Sequence, residues 1–314
     1  MIQYFKYLNN RIVEVPSYEN DCWINISPPF NTDELKNLSE KLTIPIDYLN
    51  DSMDIDERPR FETEDNVKFI VIKTPILNDN TENETDTLHF TVPIGIILVG
   101  DDVVTISPYV NPATASFFNQ YIKNTNRISN TSFVLHLLEK NVLIFLDFLK
   151  ELNAKRNQYE TELYHSNRNE ELLNLMTIQK SLVYFVTAIR LNELLMMKIK
   201  RTNFLKFNEE ELDIMEDVLI DSSQALETAN IYANILSGTM DAYASIINNN
   251  MNLILKRLTS ITIIISLPAL VTGIYGMNVK IPGADWPHAF WVTMIISLGI
   301  SAFISWYFYR KKWF

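Results

Sequence analysis

The chain has 314 residues, 47% of them hydrophobic and 21% charged, with a formal net charge of −11 at pH 7. So acidic a chain does not suit nucleic acid as a partner, and its single cysteine, Cys22, excludes an intrachain disulfide or a thiolate metal cage. The charge is unevenly placed, because 37 of the 38 acidic residues precede Arg257 and only Asp285 follows it.

With Lys and Arg counted about the same point, the body carries about −15 and the tail about +4. An acidic body suits a protein that attracts cations, and it is equally the ordinary composition of a solvated surface. The opening Met1-Ile2-Gln3-Tyr4-Phe5-Lys6 and the residues after it are too polar for a secretory signal and lack the look of a transit peptide. Residues 1–128 mix short apolar runs with turn signals at Ser27-Pro28-Pro29, Glu57-Arg58-Pro59 and Asn78-Asp79-Asn80-Thr81-Glu82-Asn83. Val67–Ile72 reads as a strand, and Ile94–Val99 with Val103–Ile106 as a hairpin about Gly100-Asp101-Asp102. This segment is predicted to be a cytoplasmic α/β domain.

Between Ser132 and Lys200 there is no Pro or Gly, and apolar residues recur at helical spacing on both sides of the polar patch His165-Ser166-Asn167-Arg168-Asn169. An antiparallel helical hairpin over residues 129–205 follows. The next helix starts near Asn208, a capping residue with Glu209, Glu210 and Glu211 in the first turn. Residues 206–257 are predicted to form a stalk; continued through Tyr275, the helix would be roughly 100 Å long at 1.5 Å per residue.

Leu258–Tyr275 gives 18 residues without a charge and Trp286–Tyr309 gives 24. Either is long enough to cross a hydrocarbon core of about 30 Å, so the lipid bilayer is an expected partner. The predicted spans are 258–275 and 289–309, joined by an external loop 276–288 and followed by a basic tail 310–314. A basic collar of Lys256, Arg257, Arg310, Lys311 and Lys312, against the lone Lys280 of the loop, places both termini in the cytoplasm of a multi-pass protein of the cell (inner or plasma) membrane. Trp286, Trp291, Trp306, Tyr307, Tyr309 and Trp313 sit where amphipathic rings favour the headgroups.

Alternating steps of four and three from Asp241 reach Ser245, Asn248, Asn252, Leu255, Thr259, Thr262 and Ser266, and all but Leu255 are polar. A 3.5-residue period keeps one face toward the axis of a left-handed bundle. Two explanations stand at this point: a water-filled axis, or Ser and Thr hydroxyls that bond back to their own helix. Asn252, Asn248 and Asp241, below the span, favour the axis. Two helices cannot enclose water, so a pore demands several copies of the chain. Mg²⁺ parts with its waters reluctantly, and a ring of neutral oxygens can hold its hydration shell intact. Leu255 would then be an apolar constriction.

The first span ends in Gly273-Ile274-Tyr275-Gly276-Met277-Asn278. This resembles the Gly-Met-Asn signature, preceded by Tyr, of CorA-type divalent-cation transporters, and the ending Lys311-Lys312-Trp313-Phe314 is similar as well. Leu49-Asn50-Asp51-Ser52-Met53-Asp54, followed by Glu57-Arg58-Pro59-Arg60-Phe61-Glu62, resembles the family's segment leading into Arg-Pro-Lys-Val-Glu. The resemblance implies a funnel-shaped homopentamer, an α/β cytoplasmic domain with a long helical stalk and two C-terminal transmembrane helices. It further implies Mg²⁺ both transported and regulatory. Tyr275, Gly276, Met277 and Asn278 become the selectivity motif, with Asn278 an outer ring, Asn252 an inner ring and Asp241 a ring at the cytoplasmic mouth. Leu255 and Leu258 fall at the family's constriction, and Asp51 with Asp217 of a neighbour becomes the regulatory metal pair. Two departures stand out. Asn50 replaces an acid that often precedes that Asp, and Lys280-Ile281-Pro282-Gly283 replaces the usual loop, leaving Asp285 as the loop's one acid.

No histidine among 89, 136, 165 and 288 shows ligand spacing, no Gly-rich loop could cradle a nucleotide, and no nucleophile–base arrangement points to an enzyme. One rival keeps the fold but carries Co²⁺, Ni²⁺ or Zn²⁺, although Met277 favours magnesium over the zinc relatives. The other is a membrane-anchored sensor or scaffold without flux, which needs no polar seam.

Overall fold

The structure, a computed structural model, describes the chain except residues 9–10, 79–86, 118–128, 166–169, 280–281, 284–285, 312 and 314, and the side chains of 11, 164 and 165. Most of the predicted turn at 78–83, most of the patch at 165–169, and Lys280, Ile281, Asp285, Lys312 and Phe314 lie outside the described residues. The chain divides into two compact units, Met1–Ser237 and Gly238–Phe314.

In the first unit, strands β1 (Ile2–Leu8), β2 (Arg11–Val15), β3 (Cys22–Ile26), β4 (Arg60–Glu64), β5 (Val67–Leu77), β6 (His89–Val99) and β7 (Asp102–Ile106) form one sheet in the order β2-β1-β3-β7-β6-β5-β4. Only β3 and β7 pair in parallel, as Trp23↔Val103 through Ile26↔Ile106; every other pair is antiparallel. The β6–β7 turn closes through Gly100, whose φ of 58° is one a side chain would resist. Alternation splits the strand residues between two faces. Cys22, Ile24, Ile26, Phe69, Val71 and Ile97 join Leu35, Leu38 and Leu42 of α1 (Thr32–Leu42) and Tyr48 and Leu49 of α2 (Ile46–Met53) in one core. Ile70, Ile72, Ile94 and Ile96, fully buried too, take the opposite face. There α3 (Asn130–His165) and α4 (Glu170–Thr202) pack on β5 and β6, and Trp23 lies 4.8 Å from the ring of Phe133. The result is a three-layer α/β/α body.

β4 stops pairing at Arg60↔Val71, so the backbone of Lys73 lies past its end. There Lys73 N–H donates to Asn192 Oδ1 at 2.9 Å, and its carbonyl accepts from Asn192 Nδ2 at 2.7 Å and Asn141 Nδ2 at 2.9 Å. Two buried amides thus finish a ladder that would otherwise carry unpaired backbone groups. Helix α5 (Glu209–Tyr275) is one helix of 67 residues with Pro268 inside it. Asn208 Oδ1 accepts from Glu211 N–H at 2.8 Å while Glu211 Oε2 accepts from Asn208 N–H at 3.0 Å, a reciprocal cap. Glu211 Oε1 also accepts from Ser129 Oγ and Ser132 Oγ, tying the start of α5 to the start of α3.

Among the described residues, three helices are long and apolar enough to cross a membrane, one more than the uncharged stretches suggested: α4, α5 and α6 (Ala289–Arg310). In α4, 44% of the apolar window is buried inside the protein, against 6% in α5 and α6. One face of α4, with Ile178, Leu182, Phe185 and Ile189, is core, while Val183 and Leu194 are exposed.

His89 is fully buried beside Phe148 and Phe185, and neither ring nitrogen has a hydrogen-bond partner among the described residues. Burial pushes it down to about 4 from 6.5, with Glu151, 3.8 Å from Nε2, pulling the other way. The folded value lies below the unfolded one, so the stabilisation is fully present above about pH 6.5 and is lost as the pH falls toward 4, by up to about 3 kcal/mol. Thermal unfolding followed from pH 7 to pH 4 should show this fall, and His89→Leu should remove that component of it.

Candidate ion path and regulatory carboxylates

Within the second unit, α5 and α6 meet through small residues. Among the described residues, Ser260, Ser297 and Ser301 are its buried polar side chains, Ser297 and Ser301 standing one turn apart on α6. Pro268 has no N–H to give the carbonyl of Ile264, and Ser301 Oγ points at that oxygen from α6 at 3.5 Å. Because Ser301 faces Ile264, Lys256 and Arg257 on α5 share one end of the helix pair with Arg310, the last residue of α6, and Lys311 just past it, and all four are exposed.

Ser260 lies off the polar seam, so the face that packs on α6 is not the face that carries the seam. Asp241, Ser245, Asn248, Asn252, Leu255, Leu258, Thr259, Thr262 and Ser266 are all exposed in the single chain. The back-bonding alternative is realised in part: Ser245 Oγ donates to Asp241 O at 3.0 Å, Thr262 Oγ1 to Leu258 O at 2.9 Å and Ser266 Oγ to Ile263 O at 3.0 Å. Such a bond uses the hydroxyl proton and leaves the oxygen lone pairs free to accept. Leu255 and Leu258 are 50% and 59% exposed.

Helix α5 ends at Tyr275, where Gly276 N–H still reaches Thr272 O at 2.9 Å and Met277 N–H reaches Ile274 O at 3.2 Å. A Cβ on Gly276 would stand 3.3 Å from that Thr272 oxygen, so the tight exit favours glycine. Tyr275, Met277 and Asn278 are exposed. Asn278 is not among the residues with positive φ. A left-handed helix cap, the other use for Asn at this place, is therefore not what it does.

The carboxylates lie in the first unit. Asp51, on α2, accepts from Arg60 Nη2 through Oδ2 at 2.6 Å, and the same guanidinium binds Glu57 Oε1 at 2.9 Å and Glu62 Oε1. Burial pushes the Asp51 carboxyl above its ordinary value, Arg60 draws it down, and Glu57, Asp47 and Asp54 raise it further. Asp217 is exposed on α5, while Met215, Val218, Ser222, Ala225 and Ala229 turn toward the body. Among the described residues, no group of three or more His, Cys, Asp or Glu could hold a metal within one chain. His136 pairs with Glu139 at 3.1 Å and His288 precedes α6, so neither adds a ligand set. The Arg60 hub is the feature that sequence reasoning missed, although Arg60 and Glu62 alternate onto one side of β4 and Glu57 stands three residues before Arg60.

Fold and site together define an integral membrane protein with an α/β body, long helices and C-terminal apolar helices. A profile described as CorA-like Mg²⁺ transporter protein matches residues 19–310. The chain belongs to that family, whose members are transporters and not enzymes. It is 27% identical over 296 residues to the Cobalt/magnesium transport protein CorA of Methanocaldococcus jannaschii, covering 93% of this chain and 90% of that protein. The protein of the same name from Thermotoga maritima is 24% identical over 294 residues, covering 93% and 83%. The complete structure of the CorA magnesium transporter from Methanocaldococcus jannaschii superposes with a TM-score of 0.85 at 24% identity, over 100% of this chain and 99% of that one.

Asp51 owes its place to how closely α2 lies on β6. A Cβ at Gly95 would stand 1.8 Å from Ser52 Oγ and 2.6 Å from Ser52 Cβ, and Ser52 is fixed by its bond to Tyr48 O at 2.6 Å. Gly95→Ala should lift α2 off the sheet, cost about 1–3 kcal/mol and lower the unfolding temperature. Adding Ser52→Gly should recover part of that loss; calorimetry on both variants checks it.

Proposed function

We propose that this chain is one subunit of a homopentameric channel for hydrated divalent cations, Mg²⁺ above all, closed by intracellular Mg²⁺ bound between subunits. The observation that carries the reading is the exposed polar seam from Asp241 to Ser266, on a face of α5 other than the one that packs on α6, leading toward Asn278. A hydrated cation presents O–H donors outward. Asn oxygens, and Ser and Thr oxygens whose protons are spent on their own helix, offer the matching acceptors without stripping the shell. Asn278 would form the outer ring, and both termini would be cytoplasmic, with the collar residues Lys256, Arg257, Arg310 and Lys311 on that side. The relatives' names pair cobalt with magnesium, and recognition through the water shell separates two ions of similar size poorly, so Co²⁺ is a second cargo.

Regulation would use Asp51 and Asp217. Carboxylate oxygens are hard donors that fit Mg²⁺, both residues reach solvent, and a site too sparse within one chain calls for a ligand from a neighbour. Bound ions would offset carboxylate repulsion across subunits and favour the closed ring.

Two experiments test the reading. In reconstituted vesicles, Asn278→Ala and Asn278→Gly should assemble as rings of five by native mass measurement yet carry Mg²⁺ only at background rate. Selective Mg²⁺ flux through an assembled Asn278→Gly ring, or a monomer in native-like lipid, would refute the pore; Zn²⁺ flux alone would move the chain to the zinc branch, and no flux of any ion would make it a scaffold. Separately, Asp51→Ala or Asp217→Ala should conduct normally but need about tenfold more internal Mg²⁺ to close.

A further inference from the structure

Arg60 occupies the ground that a metal at Asp51 would need. Its guanidinium meets Asp51 Oδ2 at 2.6 Å, Glu57 Oε1 at 2.9 Å and Glu62 Oε1, so three carboxylates converge on one fixed positive charge. The group is held from below as well: its central carbon lies 5.4 Å from the ring centroid of Phe69, which is fully buried and stacks on Tyr48 at 4.3 Å. The Arg60 side chain is thus constrained by packing and is only 30% exposed, unlike a surface lysine that swings away at little cost.

A divalent ion ligated by Asp51 would lie within a few Å of that charge, where like charges repel strongly. Both cannot hold Oδ2 at full strength. We propose that Arg60 is a built-in counter-cation that competes with the regulatory divalent ion for Asp51, and so sets the Mg²⁺ concentration at which the channel closes. The inference rests on Asp51 being part of the regulatory site, as proposed above. In low Mg²⁺ the guanidinium neutralises Asp51 and spares the open ring the repulsion of a bare carboxylate. When Mg²⁺ rises, the ion takes Asp51 and Arg60 retains Glu57 and Glu62, so the exchange needs no large movement.

The test uses the full-length protein in detergent and in vesicles. Arg60→Met keeps a long side chain over Phe69 and removes the charge; Arg60→Gln does the same with a polar end, should the first fold poorly; Arg60→Lys keeps the charge. Two readouts are titrated with Mg²⁺: protection from limited proteolysis, and inhibition of flux. The charge-free variants should close at about tenfold lower Mg²⁺ in both readouts, Arg60→Lys should stay near the parent, and Asp51→Ala should abolish the shift caused by Arg60→Met. If Asp51→Ala raises the midpoint but the charge-free variants leave it unchanged or raise it, Arg60 is a positioning residue and the competition is refuted. If Asp51→Ala has no effect on the midpoint, the regulatory reading of Asp51 fails, and the competition with it.

Discussion

One continuous backbone, α5, has to meet three surroundings, and the rest of the architecture follows from how it does so. Near its start it is capped reciprocally by Asn208 and Glu211 and lays Met215, Val218, Ala225 and Ala229 against the body. Farther along, nearly every side chain is exposed in the single chain, apolar ones included. A helix can leave apolar side chains bare only if lipid or other chains cover them, and polar ones in the same stretch only if water or a partner faces them. Pro268 sharpens the problem by leaving a carbonyl without its donor, which Ser301 of α6 answers.

The body answers a different demand. Its sheet is covered on both faces, so β5 and β6 read as almost unbroken apolar runs, and any group at a strand end must find a partner inside. Asn192 and Asn141 on the Lys73 backbone, and Ser181 Oγ accepting from His89 N–H at 3.0 Å, are those partners. Each also fastens α3 or α4 to the sheet. His89 is the exception: a titratable ring buried without a hydrogen bond, tolerated because it stays neutral.

Electrostatics joins the two demands. Asp51 sits on a short helix pressed onto Gly95, so its position is set by packing rather than by charge, and the charge it meets there is Arg60. A carboxylate placed by a rigid core and answered by an equally constrained guanidinium loses less side-chain entropy in pairing than two mobile surface groups would.

Much of this could be read from residue order. The two uncharged stretches, the hairpin about Gly100, the cap at Asn208 and the 3.5-residue polar seam are local patterns, governed by burial and hydrogen bonding within a few turns. The signature ending in Asn278 sufficed to name the family. Strands β1 to β4 were not legible, because Arg60–Glu64 and Arg11–Val15 are short, polar and stabilised by neighbours distant in sequence. Nor was it legible that α4, apolar enough for a membrane, lies in the core; the same composition serves both solvents, and only the sheet beneath it decides. The ring contact that holds Arg60 over Phe69 and the Ser301–Ile264 approach likewise depend on which segments the fold brings together. Sequence alone determined the periodicities, the charge division and the motif, since these are properties of the chain in order. Tertiary structure decided which apolar faces are core, which acids gain a cation and which helix face is left bare, since those depend on distances between residues far apart in the chain.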